Sequence, residues 1–149
     1  MEETTFMADP MRLMIAALVG IIVLLVLIIK FKLHPVLEKS GLPLILIAFL
    51  IAVLVRASVG SSIVAMTMAS GIMATMPAVM DTSMVYRAAM CCAICGGATA
   101  LSHVNDAGFW LVSTFLEIDE KTTLKSWTIM ETLIGATAFI VSFVISIFA

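Results

Sequence analysis

The sequence predicts an all-α, polytopic integral membrane protein of about four to six hydrophobic segments, some of them broken or re-entrant helices. Three observations carry that class. Hydrophobic residues make up 62% of the 149 and charged ones 12%, with a mean hydropathy of +1.20. A soluble domain carries about 25% charged and about 45–50% apolar residues, so this chain has too little polar surface to cover itself in water. The apolar residues fall in long uncharged runs, and between the runs lie compact polar clusters. The net charge of −2 says nothing about nucleic acid, and no basic stripe supports such a partner.

Taken in order, the chain opens with Met1–Arg12, where Glu2, Glu3 and Asp9 outnumber Arg12. A cleavable export signal begins with a positive region instead. Leu13–Ile29 is uncharged over 17 residues, about 25 Å as a helix, and its flanks bring it close to the ~30 Å hydrocarbon core. Lys30 and Lys32 follow, so the positive-inside rule places this end in the cytoplasm and the N-terminus outside. His34–Pro43 is a polar joint, with Pro43 suited to the first turn of the next helix.

Leu42–Val55 offers 14 apolar residues before Arg56, about 21 Å of helix, which is short for a span. Arg56 can snorkel toward the headgroups. Ala57–Ser62 is the expected break. Beyond it, Ser61, Ala65 and Ala69 recur every four residues and make a face small enough for close helix approach. Gly60, Ser61 and Ser62 have two readings: small-residue packing, or an unwound turn whose N–H groups and hydroxyls hold an anion. Asp81–Ser83 and Arg87 mark an aqueous loop. Ala88–Leu101 is a second 14-residue run, interrupted by Gly96-Gly97. Cys91, Cys92 and Cys95 lie within it. They lack the further Cys or His residues of a zinc site and read as buried thiols packing against a neighbouring helix. The 12 methionines are scattered and read as flexible apolar filler.

Ser102–Trp110 follows directly. At bilayer depth His103, Asn105 and Asp106 must each find a partner or be neutralised, which makes them candidate site residues together with Ser102. The bland alternatives are an N-cap for Asp106, a partnered histidine for His103 and an interface anchor for Trp110. Glu117–Lys125 is the most polar stretch and belongs in water. Trp127 marks the interface, and Glu131 lies about 6 Å deeper. Glu131 either reaches back to the headgroups or is a buried, protonatable group coupled to transport. Thr132–Ala149 completes the chain as an 18-residue uncharged span. No metal spacing, nucleophile–base pair or phosphate loop points to an enzyme or a cofactor.

Ser102–Trp110 reads SHVNDAGFW, and it resembles the signature of the gluconate permease family without a substitution. Leu124–Thr132 reads LKSWTIMET and resembles that family's LKTWTxMET, with Ser126 in place of Thr. Arg56–Ala65 resembles its R…GSATVA segment, except that Ser62 and Ile63 stand where the pattern has Ala and Thr. The likeness covers 40–149, and 13–35 separately resembles the family's first helix.

The resemblance implies a proton-coupled importer of gluconate or a related sugar acid in a bacterial inner membrane, built from inverted repeats whose hairpins meet at the midplane. Gly60, Ser61 and Ser62 would form one polar tip, facing Ser102, His103, Asn105 and Asp106, with His103 or Asp106 as proton carriers. It also divides the chain at Pro35/Val36 into 1–35, a tail and first helix, and 36–149, a permease-like region. Members of the family are much longer, so the expectation is a truncated member lacking the central part. Its half-site would be completed by a second copy or by a larger permease chain. The alternative is a small membrane subunit that associates with such a permease without transporting.

Overall fold

A computed structural model describes residues 41–149. The expected first helix at Leu13–Ile29 and its orientation lie outside the described residues. Within them the chain is helical, without strands. Helix α1 is Leu44–Val59, α2 Ser62–Ala74, α3 the single turn Pro77–Met80, α4 Met84–Thr99 and α5 Ala107–Phe115. The last helix, α6, runs continuously over Glu120–Ile147, with a π-helical turn at Leu124–Thr128.

Local chemistry sets most boundaries. Pro43 precedes α1 and accepts from the N–H groups of Leu46 and Ile47. Ser61 caps α2, Ser83 caps α4 through the Tyr86 N–H, and Asp119 caps α6 through the Thr122 N–H. Pro77 opens α3 at the position where its missing N–H costs nothing. The loop expected at Asp81–Ser83 is present, although Arg87 lies inside α4.

Helices α1, α2 and α4 supply most of the buried core, and α6 packs against it through Phe139 and Phe143. The Ile45 N–H meets the Tyr86 hydroxyl at 3.3 Å, so α1 and α4 begin at the same end. They stay together further along, where Gly97 lies against the backbone of Phe49 and the methyl of Ala52. Helix α6 runs the opposite way: Gly135 abuts Gly96 and Ala100, while Ser142 and Ile145 share a groove with Val85 and Ala89. A Cβ on Gly96 would stand 2.7 Å from the Gly135 carbonyl oxygen, so both positions depend on hydrogen as the side chain. Helix α2 packs against α1 and α4 through Ala65 and Ala69, both fully buried. That face was expected for close packing.

Four expectations are corrected. Helix α1 continues through Ala57–Val59, so the break shrinks to Gly60-Ser61; Ser58 is tolerated because its hydroxyl donates to the Leu54 carbonyl. Gly96-Gly97 does not interrupt α4. The pair serves close approach, and the chain leaves the helix only after Thr99. The thiols of Cys91, Cys92 and Cys95 are exposed, because Ala89, Met90, Ala93, Ile94, Gly96 and Gly97 take the inner face of α4. The last helix begins well before Thr132, at Glu120.

Large apolar side chains cover the outside, among them Leu54, Ile63, Met84, Leu133 and Ile140, each at least 60% exposed. Helix α6 is 28 residues long, about 42 Å; after polar first turns that carry Glu120, Lys121 and Lys125 it is apolar enough to cross a bilayer. It is the one described helix long enough to cross a bilayer alone; α1, α2 and α4 are shorter apolar helices.

Candidate functional site

Because α1 and α4 start together, their ends lie together. The left-handed turn at Gly60 (φ 73°) meets the loop Ala100–Asp106 that leaves α4. Space there is so tight that a Cβ on Gly60 would stand 2.1 Å from the Asn105 carbonyl oxygen. The antiparallel α6 brings Trp127–Thr132 to the same level. These residues lie seven to twelve positions from the start of α6, about 10–18 Å along a helix of about 42 Å. The polar groups therefore straddle the boundary between its first and middle thirds.

One ion pair joins the two breaks. Arg56, in the last turn of α1, donates from one terminal nitrogen to Asp106 Oδ2 at 2.5 Å and from the other to the Gly60 carbonyl at 2.9 Å. Arg56 is 3% exposed, so it does not snorkel to the headgroups. Asp106 also accepts from the Ser102 hydroxyl and from the Gly108 N–H, the second of which caps α5. Both readings of Asp106 hold at once: it is the helix cap and the partner of a buried cation. Arg56 Nε, by contrast, is buried without a hydrogen-bond partner among the described residues.

Helix α6 braces the loop. Trp127 Nε1 donates to Ser102 Oγ at 2.9 Å, and Thr128 donates to the Ser102 carbonyl at 2.5 Å. The Leu101 N–H reaches the Thr132 hydroxyl at 3.3 Å. Trp127 thus tethers the site. Trp110 likewise ties the loop, donating to the Val104 carbonyl at 2.8 Å. The π turn that places Trp127 and Thr128 is a device frequent at functional sites. Leu101 holds φ at 57°, a conformation costly for a branched side chain, next to the fully buried Ser102.

The sequence-derived candidates divide accordingly. Gly60, Ser102, Asn105 and Asp106 come together. Asn105 donates to the Ala57 carbonyl at 2.8 Å, across the interface of the two breaks. His103 Nδ1 lies 2.6 Å from the Leu101 carbonyl; an oxygen there can only accept, so Nδ1 is the donor. Ser61 is occupied as the α2 cap, and Ser62 begins α2 half-buried. Ile63 points outward at 74% exposed, away from the cluster. Glu131 is half-buried, one turn past the tether, within electrostatic reach of Arg56 and Asp106. Sequence reasoning missed Arg56, Trp127 and Thr128 as site residues. The available signal was charge: a lone cation at the end of an apolar run needs an acid, and few acids border such runs.

Comparison with known proteins identifies the fold's relatives. The GntP family permease profile matches residues 36–148. The chain is 40% identical over 108 residues to the low-affinity gluconate transporter of Escherichia coli (strain K12), covering 72% of this chain and 24% of that protein. It is 36% identical over 106 residues to the inner membrane permease YgbN of the same strain, covering 71% and 23%. Against the gluconate permease of Pseudomonas aeruginosa it is 36% identical over 103 residues, covering 69% and 22%. The chain spans about a quarter of the length of these curated relatives. No solved structure matches it. With the matched region enclosing both helix breaks and their tether, this chain belongs to the GntP permease family, whose members are membrane transporters and not enzymes.

Proposed function

We propose that residues 41–149 carry a substrate site for gluconate or a related sugar acid, moved with protons across a bacterial inner membrane by a multi-pass protein. The observation that supports it is the joining of two helix breaks, at Gly60-Ser61 and at Ala100–Asp106, by the buried Arg56–Asp106 pair, with α6 bracing the second break through Trp127 and Thr128. Backbone that leaves a helix at bilayer depth is tolerated where it lines a polar cavity or is buried in protein, and paired broken helices are where transporters bind substrate. The names of the relatives supply the substrate class.

In this reading the Ser102, Asn105, Ser61 and Ser62 side chains and the Gly60 backbone offer hydrogen bonds to the hydroxyls of the sugar acid. His103, Asp106 and Glu131 are the groups able to carry a proton. The half-site is completed by a second copy or by a larger permease chain.

The test is uptake of labelled gluconate by bacteria lacking their own gluconate permeases and expressing this chain. Uptake that a protonophore abolishes, and that falls at least about tenfold in Asn105→Ala and in Asp106→Ala, is the expected result. Undiminished uptake by both variants, at equal amounts in the membrane, refutes the site. No uptake by the unaltered chain refutes autonomous transport.

A further inference from the structure

We infer that Arg56 is the receptor for the carboxylate of the substrate, and that a proton arriving on Asp106 releases Arg56 to take it. This rests on the sugar-acid reading and adds to it the pairing of one anion with one proton.

The argument begins with charge. Among the described residues Arg56 is the cation at the two breaks, it is 3% exposed, and its ion pair is the one salt bridge. A carboxylate entering beside an intact Arg56–Asp106 pair would leave a net negative charge at a site walled by apolar helices, which is costly. If Asp106 takes up one proton as the carboxylate arrives, Arg56 exchanges one anionic partner for another. The site then holds a cation, an anion and a neutral acid, and its net charge is unchanged.

Geometry points the same way. Asp106 is bound by three donors: the Arg56 guanidinium, the Ser102 hydroxyl and the Gly108 N–H. A protonated Asp106 still accepts from Gly108 through one oxygen and can donate to Ser102 through the other. Its anchorage as the α5 cap therefore outlives the loss of Arg56. Arg56 has a donor to spare, because Nε is buried and unpartnered while the two terminal nitrogens hold Gly60 and Asp106. Nε and the terminal nitrogen freed from Asp106 together match the two oxygens of a carboxylate.

Among the described residues the other titratable groups near Asp106 are Glu131 on α6, within electrostatic reach, and His103, three residues earlier in the same loop. Helix α2 contributes none, and the Arg87 of α4 lies at the far end of that helix. Glu131 is a second acid able to intercept the proton, so the test separates it from Asp106.

The full chain in lipid nanodiscs is titrated with gluconate, with acetate and with sorbitol, the uncharged polyol, between pH 5 and pH 8. Binding of gluconate by the unaltered chain is expected to tighten up to about tenfold per unit fall in pH, with one proton taken up per anion bound. Asp106→Asn should bind gluconate with an affinity independent of pH and without proton uptake. Glu131→Gln should keep the pH dependence. Arg56→Gln and the charge-neutral pair Arg56→Gln/Asp106→Asn, checked for folding by their melting curves, should bind no carboxylate.

A pH dependence that survives in Asp106→Asn, or carboxylate binding that survives in the folded double variant, overturns the inference. Acetate bound in this pattern with gluconate refused sustains the exchange and sinks the sugar-acid reading alone. Sorbitol bound as well as gluconate, with both carboxylates indifferent to Arg56, sinks the exchange and leaves a polyol site. Refusal of all three ligands by every form sinks both.

Discussion

Gly60→Ala isolates the contact on which the two helix breaks depend. Gly60 sits at φ 73°, and a methyl there would lie 2.1 Å from the Asn105 carbonyl oxygen and 2.6 Å from its carbon. The left-handed conformation alone costs a non-glycine residue about 1–2 kcal/mol, and forcing a methyl into a packed site adds about 1–3 kcal/mol. The expected loss is therefore about 2–5 kcal/mol, a large share of a typical stability of about 5–15 kcal/mol. Two other glycines separate the contributions. Gly41 has φ 68° with nothing within 4 Å, so Gly41→Ala should lose only the backbone cost of about 1–2 kcal/mol. Gly71 lies inside α2 with open space and ordinary dihedrals, so Gly71→Ala should gain about 0.8–1 kcal/mol. Denaturant unfolding of the purified proteins in micelles, followed by tryptophan fluorescence, gives the three values on one scale. If Gly60→Ala proves no worse than Gly41→Ala, the two breaks are not in contact and the site as described does not exist.

Ser102→Ala should cost about 2–4 kcal/mol, because it removes a hydrogen bond to the Asp106 carboxylate and leaves the Trp127 indole N–H without its acceptor. A double-mutant cycle with Trp127→Phe should return a coupling of at least about 0.5 kcal/mol, and additivity would refute the tether. At the start of α6, hydrogen bonds from Thr122 hold the exposed Asp119 carboxyl below its ordinary 3.8. A group whose folded pKa is depressed stabilises the helix start above the unfolded pKa and loses that contribution as pH falls through the folded value. The Thr122 amide shift should accordingly titrate with a midpoint under 3.8 and stop titrating in Asp119→Asn, a midpoint at or above 3.8 being the contrary result.

What was legible in the sequence followed from terms local to a segment. Composition and uncharged run length are enough to place the chain in lipid, and a glycine followed by serines is enough to expect a break near residue 60. What escaped depends on a second element. Gly96-Gly97 looks the same in a sequence whether the glycines bend a helix or let two helices touch, and only the position of Gly135 and Phe49 decides. Ser58 looks like part of a turn until its hydroxyl is seen on the Leu54 carbonyl. Arg56 and Asp106 lie 50 residues apart, and Ser102 and Trp127 lie 25 apart. Neither separation has a period that a pattern could reveal. The family motifs marked all four positions without saying which touches which.

The contacts also sort the polar residues by what each is already doing. A broken helix leaves carbonyl and N–H groups that lipid cannot satisfy, at several kcal/mol each. Here side chains of the signature segments take that work: Arg56 holds the Gly60 carbonyl, Asn105 that of Ala57, Thr128 that of Ser102 and Trp110 that of Val104. Asp106 and Ser61 are spent in part on helix caps. A motif residue whose hydrogen bonds close on backbone explains how the breaks are held among apolar helices, and its loss should first register as instability. Among the described residues the groups with capacity left over are few: Nε of Arg56, Nε2 of His103, the carbonyl end of the Asn105 amide, the Ser62 hydroxyl and the Glu131 carboxylate. A substrate can act on the site only through such groups, or by displacing a partner that a proton can neutralise. Of the partners in place, Asp106 is the one whose bond to Arg56 a single proton dissolves while its cap remains. The chemistry of exchange and the architecture of the break thus meet in the same residue.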